Sequence, residues 1–225
     1  GFIGVAREVA TIVRGKLDIP DVGYDTTDEN INDITSVTIE DSELCQRYTA
    51  RIIKDVKIGP SPEWLQKKIC SIGLRPVNNI VDITNYVLME SGQPLHAFDF
   101  DKLLENRIIV RKAKKDETLD AIDGSKCVLT DDMLVIADAQ RPVAIAGVMG
   151  GKETEVSGAT RNILLESAFF DPRSVRRVSR KLSLMSDSSY RFERRVDPEC
   201  VGWASRRATK MILEIAGGQA VEGVI

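Results

Sequence analysis

Between Gly4 and Arg14 the apolar residues Val5, Val9, Ile12 and Val13 share one face at helical spacing, so the chain opens with an amphipathic helix. The next stretch, Gly15 to Asp33, holds Pro20, Gly23 and several acids, and its composition reads as a linker. From Ser36 the pattern turns to strands: SVTIE and then YTARIIKDVKI are alternating and β-branched. Ser61-Pro62-Glu63 is a helix start, with serine as cap, proline at the first helical position and an acid in the first turn. That helix runs through Trp64, Leu65 and Ile69 to about Ile72, where Gly73 ends it. A second helix fits Asn78 to Met89, stopped by Ser91-Gly92 and Pro94, which leaves His96 in the loop beyond it.

Short apolar runs fill Arg107 to Met149: RIIVRKA, ETLDAID, KCVLT, MLVIAD and VAIAGVM, with Asp123-Gly124 as a two-residue hairpin signal. Another strand fits Asn162 to Phe170, then a helix from Pro172 to Leu182, an irregular polar segment, and a last helix from Pro198 to Gly217-Gly218. Strands cluster in the middle and helices flank them without strict alternation. The expected class is therefore α+β, a β-rich layered sandwich of mixed sheets flanked by helices. A boundary is expected near the linker, with residues 1–33 a helix and linker from a preceding segment and residues 34–225 the main domain.

Composition narrows the function classes. Hydrophobic residues are 43% and charged residues 29%, which excludes wholesale disorder and fibrous architectures. No apolar run approaches the length of a membrane span, and the first residues do not read as a signal peptide. With 31 Lys plus Arg against 34 acids the net charge is -3, so a nucleic-acid partner must be met by a local patch and not by bulk charge. Cys45, Cys70, Cys127 and Cys200 form no C-x-x-C pair and His96 is the single histidine, which argues against a zinc site. A disulfide framework is equally unexpected in a chain of this size, so the cytosol is the expected compartment.

Five constellations remain. Asn78, Asp82 and Asn85 share a helix face, and His96 follows; with Thr84 they form either a water-orienting group or a capped helix beside a packed imidazole. Strand alternation puts Glu166 on the face of Leu164, Ala168 and Phe170, where an ionised carboxylate is costly unless an arginine pairs with it or a ligand donates to it. Ala146-Gly147-Val148-Met149-Gly150-Gly151 follows a strand and is either a tight turn or a close backbone approach to a ligand. Arg173, Arg176, Arg177, Arg180 and Lys181 make a basic stripe that meets phosphates or water. The segment from Ser186 to Arg194 mixes hydroxyls, charges and aromatics, but no nucleophile elbow appears.

Four stretches carry a resemblance: LRPVNNIVDITNYVLMESGQPLHAFD (Leu74 to Asp99), AIAGVMGG (Ala144 to Gly151), LLESAFFDPRSVRR (Leu164 to Arg177) and SSYRFERRVDP (Ser188 to Pro198). In this order they resemble the editing domain at the centre of the bacterial phenylalanyl-tRNA synthetase beta subunit, from about Glu40 to the C-terminus. The family implies hydrolysis of tyrosine wrongly esterified to tRNA(Phe), in a complex that charges tRNA(Phe) with phenylalanine. It implies Glu166 as acceptor for the tyrosine hydroxyl, with the Gly147 backbone beside it. It implies Thr84, Asn85 and His96 around the ester and the attacking water, and Ser186 and Ser188 on the pocket wall. The family usually shows threonine and alanine at those two serine positions, and glycine where this chain has Arg195. The implied partners are tRNA(Phe) and the alpha subunit in a heterotetramer, with no membrane. ATP and magnesium belong to the parent complex, so no cofactor is expected in this domain. Competing expectations are a free-standing relative that edits in trans, and a scaffold with a decayed pocket that braces the alpha subunit and tRNA.

Overall fold

A computed structural model describes residues 1–225. In chain order the helices are α1 (Phe2–Val13), α2 (Glu63–Ser71), α3 (Asn79–Ser91), α4 (Pro172–Lys181), α5 (Asp187–Phe192) and α6 (Cys200–Ala216). The strands are β1 (Thr26–Asn30), β2 (Ser36–Ile39), β3 (Cys45–Lys54), β4 (Leu95–Asp99), β5 (Arg107–Lys112), β6 (Thr118–Asp120), β7 (Lys126–Val128), β8 (Leu134–Ala137), β9 (Pro142–Ile145), β10 (Met149–Gly150), β11 (Ile163–Phe170) and β12 (Gln219–Glu222). They form two mixed five-stranded sheets, ordered β1-β12-β3-β11-β4 and β10-β9-β8-β5-β2, and a β6-β7 hairpin. The class is α+β, as the clustering of strands implies.

Every residue of β11 is buried, because it lies between β3 and β4 and both its faces are covered. Leu164, Ala168 and Phe170 join Ile108, Val110, Val135 and Ile145 in a core between the two sheets. Ile163 and Leu165 point the other way, into a second core with Ile80, Ile83 and Val87 of α3 and Ala204, Ala208 and Ile212 of α6. The layers are therefore helices, first sheet, second sheet, with α4 and α5 closing the first core through Val175, Val178 and Phe192. Arg207 holds Glu90 through its Nε at 2.9 Å, tying α6 to α3.

Several local expectations are corrected. His96 lies in β4 and not in a loop: the short run LHAFD pairs antiparallel with β11. Residues 26–33, read as linker, give β1, which pairs with β12, and a turn that buries Ile31 in the core. The polar segment after Leu182 contains α5. Ser61 does not cap α2; its hydroxyl donates to buried Asp82 at 2.6 Å, and the same carboxylate accepts from the Val77 N–H at 2.9 Å. Asn78 is the cap of α3, accepting from the Val81 N–H at 2.9 Å. The polar helix face thus divides, with Asn78 and Asp82 structural and only Asn85 left free. The hairpin around Asp123-Gly124 exists, but residues 121–125 connect its strands, not two residues.

Arg195 has φ 68, in the left-handed region that glycine occupies without cost and other residues do not. The glycine that the resemblance implies at this position would adopt this conformation freely, and arginine bears the strain. Arg195→Gly is expected to stabilise the fold by about 1 kcal/mol, the relief of strain exceeding the added entropy of the unfolded chain. Urea denaturation measures this, and an unchanged or lower midpoint would show that the arginine contacts outweigh the strain.

Candidate active site

Glu166 stands in the centre of β11, opposite Ala50 of β3 on one side and His96 of β4 on the other. Directly paired residues project to the same face of a sheet, so Glu166 and His96 are presented to the same side. Glu166 is 7% exposed, and no arginine pairs with it. Its partner is the phenol of Tyr48, which donates to Oε2 at 2.8 Å from the diagonal position on β3. Burial pushes the Glu166 carboxyl up to about 7, against the pull of the Tyr48 hydrogen bond.

His96 is held by its surroundings and not by hydrogen bonds. Its ring meets Phe98 edge-on, with centroids 4.4 Å apart, and Nε2 is buried with no partner. A Cβ on Gly150 would fall 2.5 Å from His96 Cε1, so the glycine backbone rests directly on the imidazole. Burial brings the His96 pKa down to about 4, and the ring is neutral at physiological pH. A neutral ring with that basicity orients a water well and removes a proton from it poorly.

The remaining wall comes from a turn and two helices. Val148 N–H donates to Ile145 O at 3.0 Å, and Gly147 has φ 69, as the third position of a type II turn requires. A Cβ there would meet Phe170, Phe192 and Val175 at 3.0 Å, so glycine is demanded by both conformation and space. Ser186 caps α5, accepting from the Ser189 N–H at 3.0 Å, while its hydroxyl donates to Val148 O at 2.7 Å. One serine thereby ties α5 to the glycine turn. On α3, Thr84 Oγ1 donates to Val81 O at 2.8 Å, leaving its oxygen free to accept.

Thr84, Asn85, His96, Gly147, Glu166, Ser186 and Ser188 all line one cavity of about 280 Å³. Ile122, Ile136, Ala144, Ile145, Val148 and Phe192 are among its apolar lining. Such a volume takes a side chain the size of an aromatic amino acid. The basic residues of α4 do not line it; they are exposed, and Arg177 and Lys181 are engaged by Asp132. A more voluminous groove of about 600 Å³ lies open along Tyr24 to Thr27 and α6, and gathers none of these residues. Two residues of the site escaped the sequence reading. Tyr48 was visible only as a strand residue, since its pairing with Glu166 depends on register. Glu155 enters through an isolated bridge to Phe98.

The sequence profile of the B3/4 domain matches residues 44–217. The phenylalanine–tRNA ligase beta subunit of Rhodopirellula baltica is 53% identical over 225 residues, all of this chain and 33% of that protein. That of Moorella thermoacetica is 50% identical over 224 residues, 28% of its length. The chain therefore spans a third or less of these two relatives. The crystal structure of an N-terminal fragment of the phenylalanyl-tRNA synthetase beta-subunit from Pyrococcus horikoshii superposes with a TM-score of 0.54 at 12% identity, covering 97% of this chain and 58% of that one. That last likeness is one of fold.

The two buried groups tilt stability in opposite directions with pH. Glu166 binds its proton more tightly folded than unfolded, so its contribution is intact below about 4.5 and is lost as pH rises toward 7. His96 binds its proton less tightly folded, so it favours the fold as pH rises from about 4 to 6.5. Glu166→Gln removes only the first slope. Urea denaturation is expected to show the variant gaining on the parent between pH 5 and pH 8, by roughly 3 kcal/mol at most. A difference independent of pH would mean that Glu166 is ionised throughout.

Proposed function

We propose that this chain, which belongs to the B3/4 domain family, is a proofreading domain that hydrolyses the ester of tyrosine wrongly attached to tRNA(Phe). The observation that carries this reading is the buried Glu166 carboxylate: Tyr48 occupies Oε2, and Oε1 has no protein partner on the wall of an aromatic-sized cavity. A synthetic site shaped for phenylalanine rejects an added hydroxyl weakly, because the hydroxyl is only one more small group to accommodate. A second site that must have the hydroxyl discriminates steeply. Phenylalanine would leave a desolvated oxygen unpaired, at a cost of about 1–3 kcal/mol or more for a charged acceptor.

At the other end of the side chain the ester lies near Thr84, Asn85 and His96. The Thr84 oxygen accepts from a water, the Asn85 amide donates or accepts, and the neutral His96 ring turns the water's lone pair toward the carbonyl. An aminoacyl ester is already activated, so holding water in line supplies most of what the reaction needs. A His96 pKa of about 4 fits a positioning group better than a strong general base. Ser186 is committed to its cap and turn, so it shapes the wall, while Ser188 puts a free hydroxyl on it.

On this reading the chain works within a larger beta subunit in the cytoplasm, with tRNA(Phe) and an alpha subunit as partners. Phenylalanine activation, with its ATP and magnesium, belongs elsewhere in that assembly. The test is deacylation of Tyr-tRNA(Phe) and Phe-tRNA(Phe). Glu166→Ala is expected to cut the preference for the tyrosyl ester by at least tenfold, and His96→Ala to slow its hydrolysis by about 10–100-fold without abolishing it. Binding of both esters with no hydrolysis would favour a bracing scaffold instead, and complete loss in His96→Ala would restore it as a general base.

A further inference from the structure

Glu166 has one hydrogen-bond donor inside the protein, and that donor is itself a phenol. Tyr48 is 7% exposed, and burial beside the carboxylate drives its own pKa well above the ordinary 10, so it donates at every pH the protein meets. Its strand neighbour Cys45 is also buried, and its thiol is pushed up to about 12. The titratable groups facing Glu166 are thus Tyr48 and Cys45 from β3 and His96 from β4, with Glu155 further along the cavity wall. Cys45 and Tyr48 stay neutral, as does His96 above about 4, and none of the group is a cation. Every stabilising contact available to a Glu166 anion from the protein therefore comes from one hydroxyl.

From this geometry we infer that Tyr48 is the residue that positions Glu166 for hydroxyl selection: it engages Oε2, holds the carboxylate in its acceptor form, and leaves Oε1 as the one vacant oxygen of that carboxylate toward the cavity. The inference rests on the proofreading reading above and deepens it. A carboxylate with two vacant oxygens in an apolar pocket takes up a proton and becomes a donor and acceptor at once. It then discriminates less between a ligand with a hydroxyl and one without. Tyr48 supplies the first phenol so that the ligand can supply the second, and the two share one carboxylate as paired charge-assisted donors. Tyr48 touches no reacting atom on this account and acts only through Glu166.

The experiment follows the Glu166 side-chain carboxyl carbon by ¹³C NMR across pH in the 225-residue chain, for the parent and for Tyr48→Phe, with L-tyrosine and L-phenylalanine titrated into each. The Glu166 midpoint is expected to rise by about one unit or more in Tyr48→Phe, and the tyrosine-over-phenylalanine affinity ratio at pH 7.5 to fall about tenfold. Raising the pH should recover the ratio in the variant, which a merely loosened fold would not do. An unmoved midpoint, or a ratio that falls equally at every pH, overturns the proposal. A parent chain that titrates near 7 yet binds both amino acids equally defeats the proofreading reading and leaves the Tyr48–Glu166 coupling to be judged on the midpoint alone. If Tyr48→Phe fails to fold, a second comparison serves: in the parent, the Tyr48 hydroxyl proton should be slow to exchange and shift with the Glu166 midpoint. Rapid exchange there would equally overturn the proposal.

Discussion

A carboxylate in the middle of a fully buried strand is the constraint around which this fold is arranged. β11 is covered on both faces and paired on both edges, so nothing on it reaches bulk water. Seven of its eight residues meet that condition with apolar or small side chains, and Glu166 does not. The carboxylate survives because the structure leaves a cavity against its face and aims one phenol at it. Glu166 in a closed, dry core would be an unpaired charge, which cores do not tolerate. Beside a cavity it becomes a demand for a donor, and that demand is what a ligand can satisfy.

The same arrangement makes the surrounding residues do double service. Gly150 must lack a side chain because the His96 ring occupies the space, and Gly147 because Phe170, Phe192 and Val175 do. Both glycines let backbone reach the cavity wall where a side chain would have filled it. Ser186 joins the α5 cap to the glycine turn, so the wall that carries Ser188 is tied to the turn that carries Gly147. Preorganisation of this kind keeps a binding site open when it is empty, and lets the cost of desolvating Glu166 be met during folding and not at binding.

Legibility in the sequence followed the range of the interaction. The β11 strand and the α3 helix depend on neighbours a few positions away, and periodicity and stop signals disclose them. The resemblance nominated Thr84, Asn85, His96, Gly147, Glu166, Ser186 and Ser188, and the structure gathers all seven at one cavity. Elements stabilised only by distant pairing were not legible. β4 is five residues with a histidine, after Gly92 and Pro94, and exists because β11 offers an edge; β1 is polar throughout and is held by β12 from the far end of the chain. The strand pattern left Glu166 to an arginine or to a ligand donor and could not reveal Tyr48, because register between β3 and β11 spans more than a hundred residues.

Register also explains why one carboxylate can select and one imidazole can stay passive. Pairing Glu166 directly with His96 brings together an acid whose proton affinity is raised and a base whose proton affinity is lowered, both by the same burial. Had both been solvated, with ordinary values of 4.5 and 6.5, the two could have formed an ion pair at mildly acidic pH, and the acceptor would have been occupied by its own neighbour. Burial weakens that transfer: with Glu166 near 7 and His96 near 4, the proton favours the carboxyl over the ring. The ring therefore remains a neutral guide for water, and above about 7 the carboxylate is ionised and left available to a phenol. Desolvation, which is a cost to each group alone, is what keeps their two roles apart.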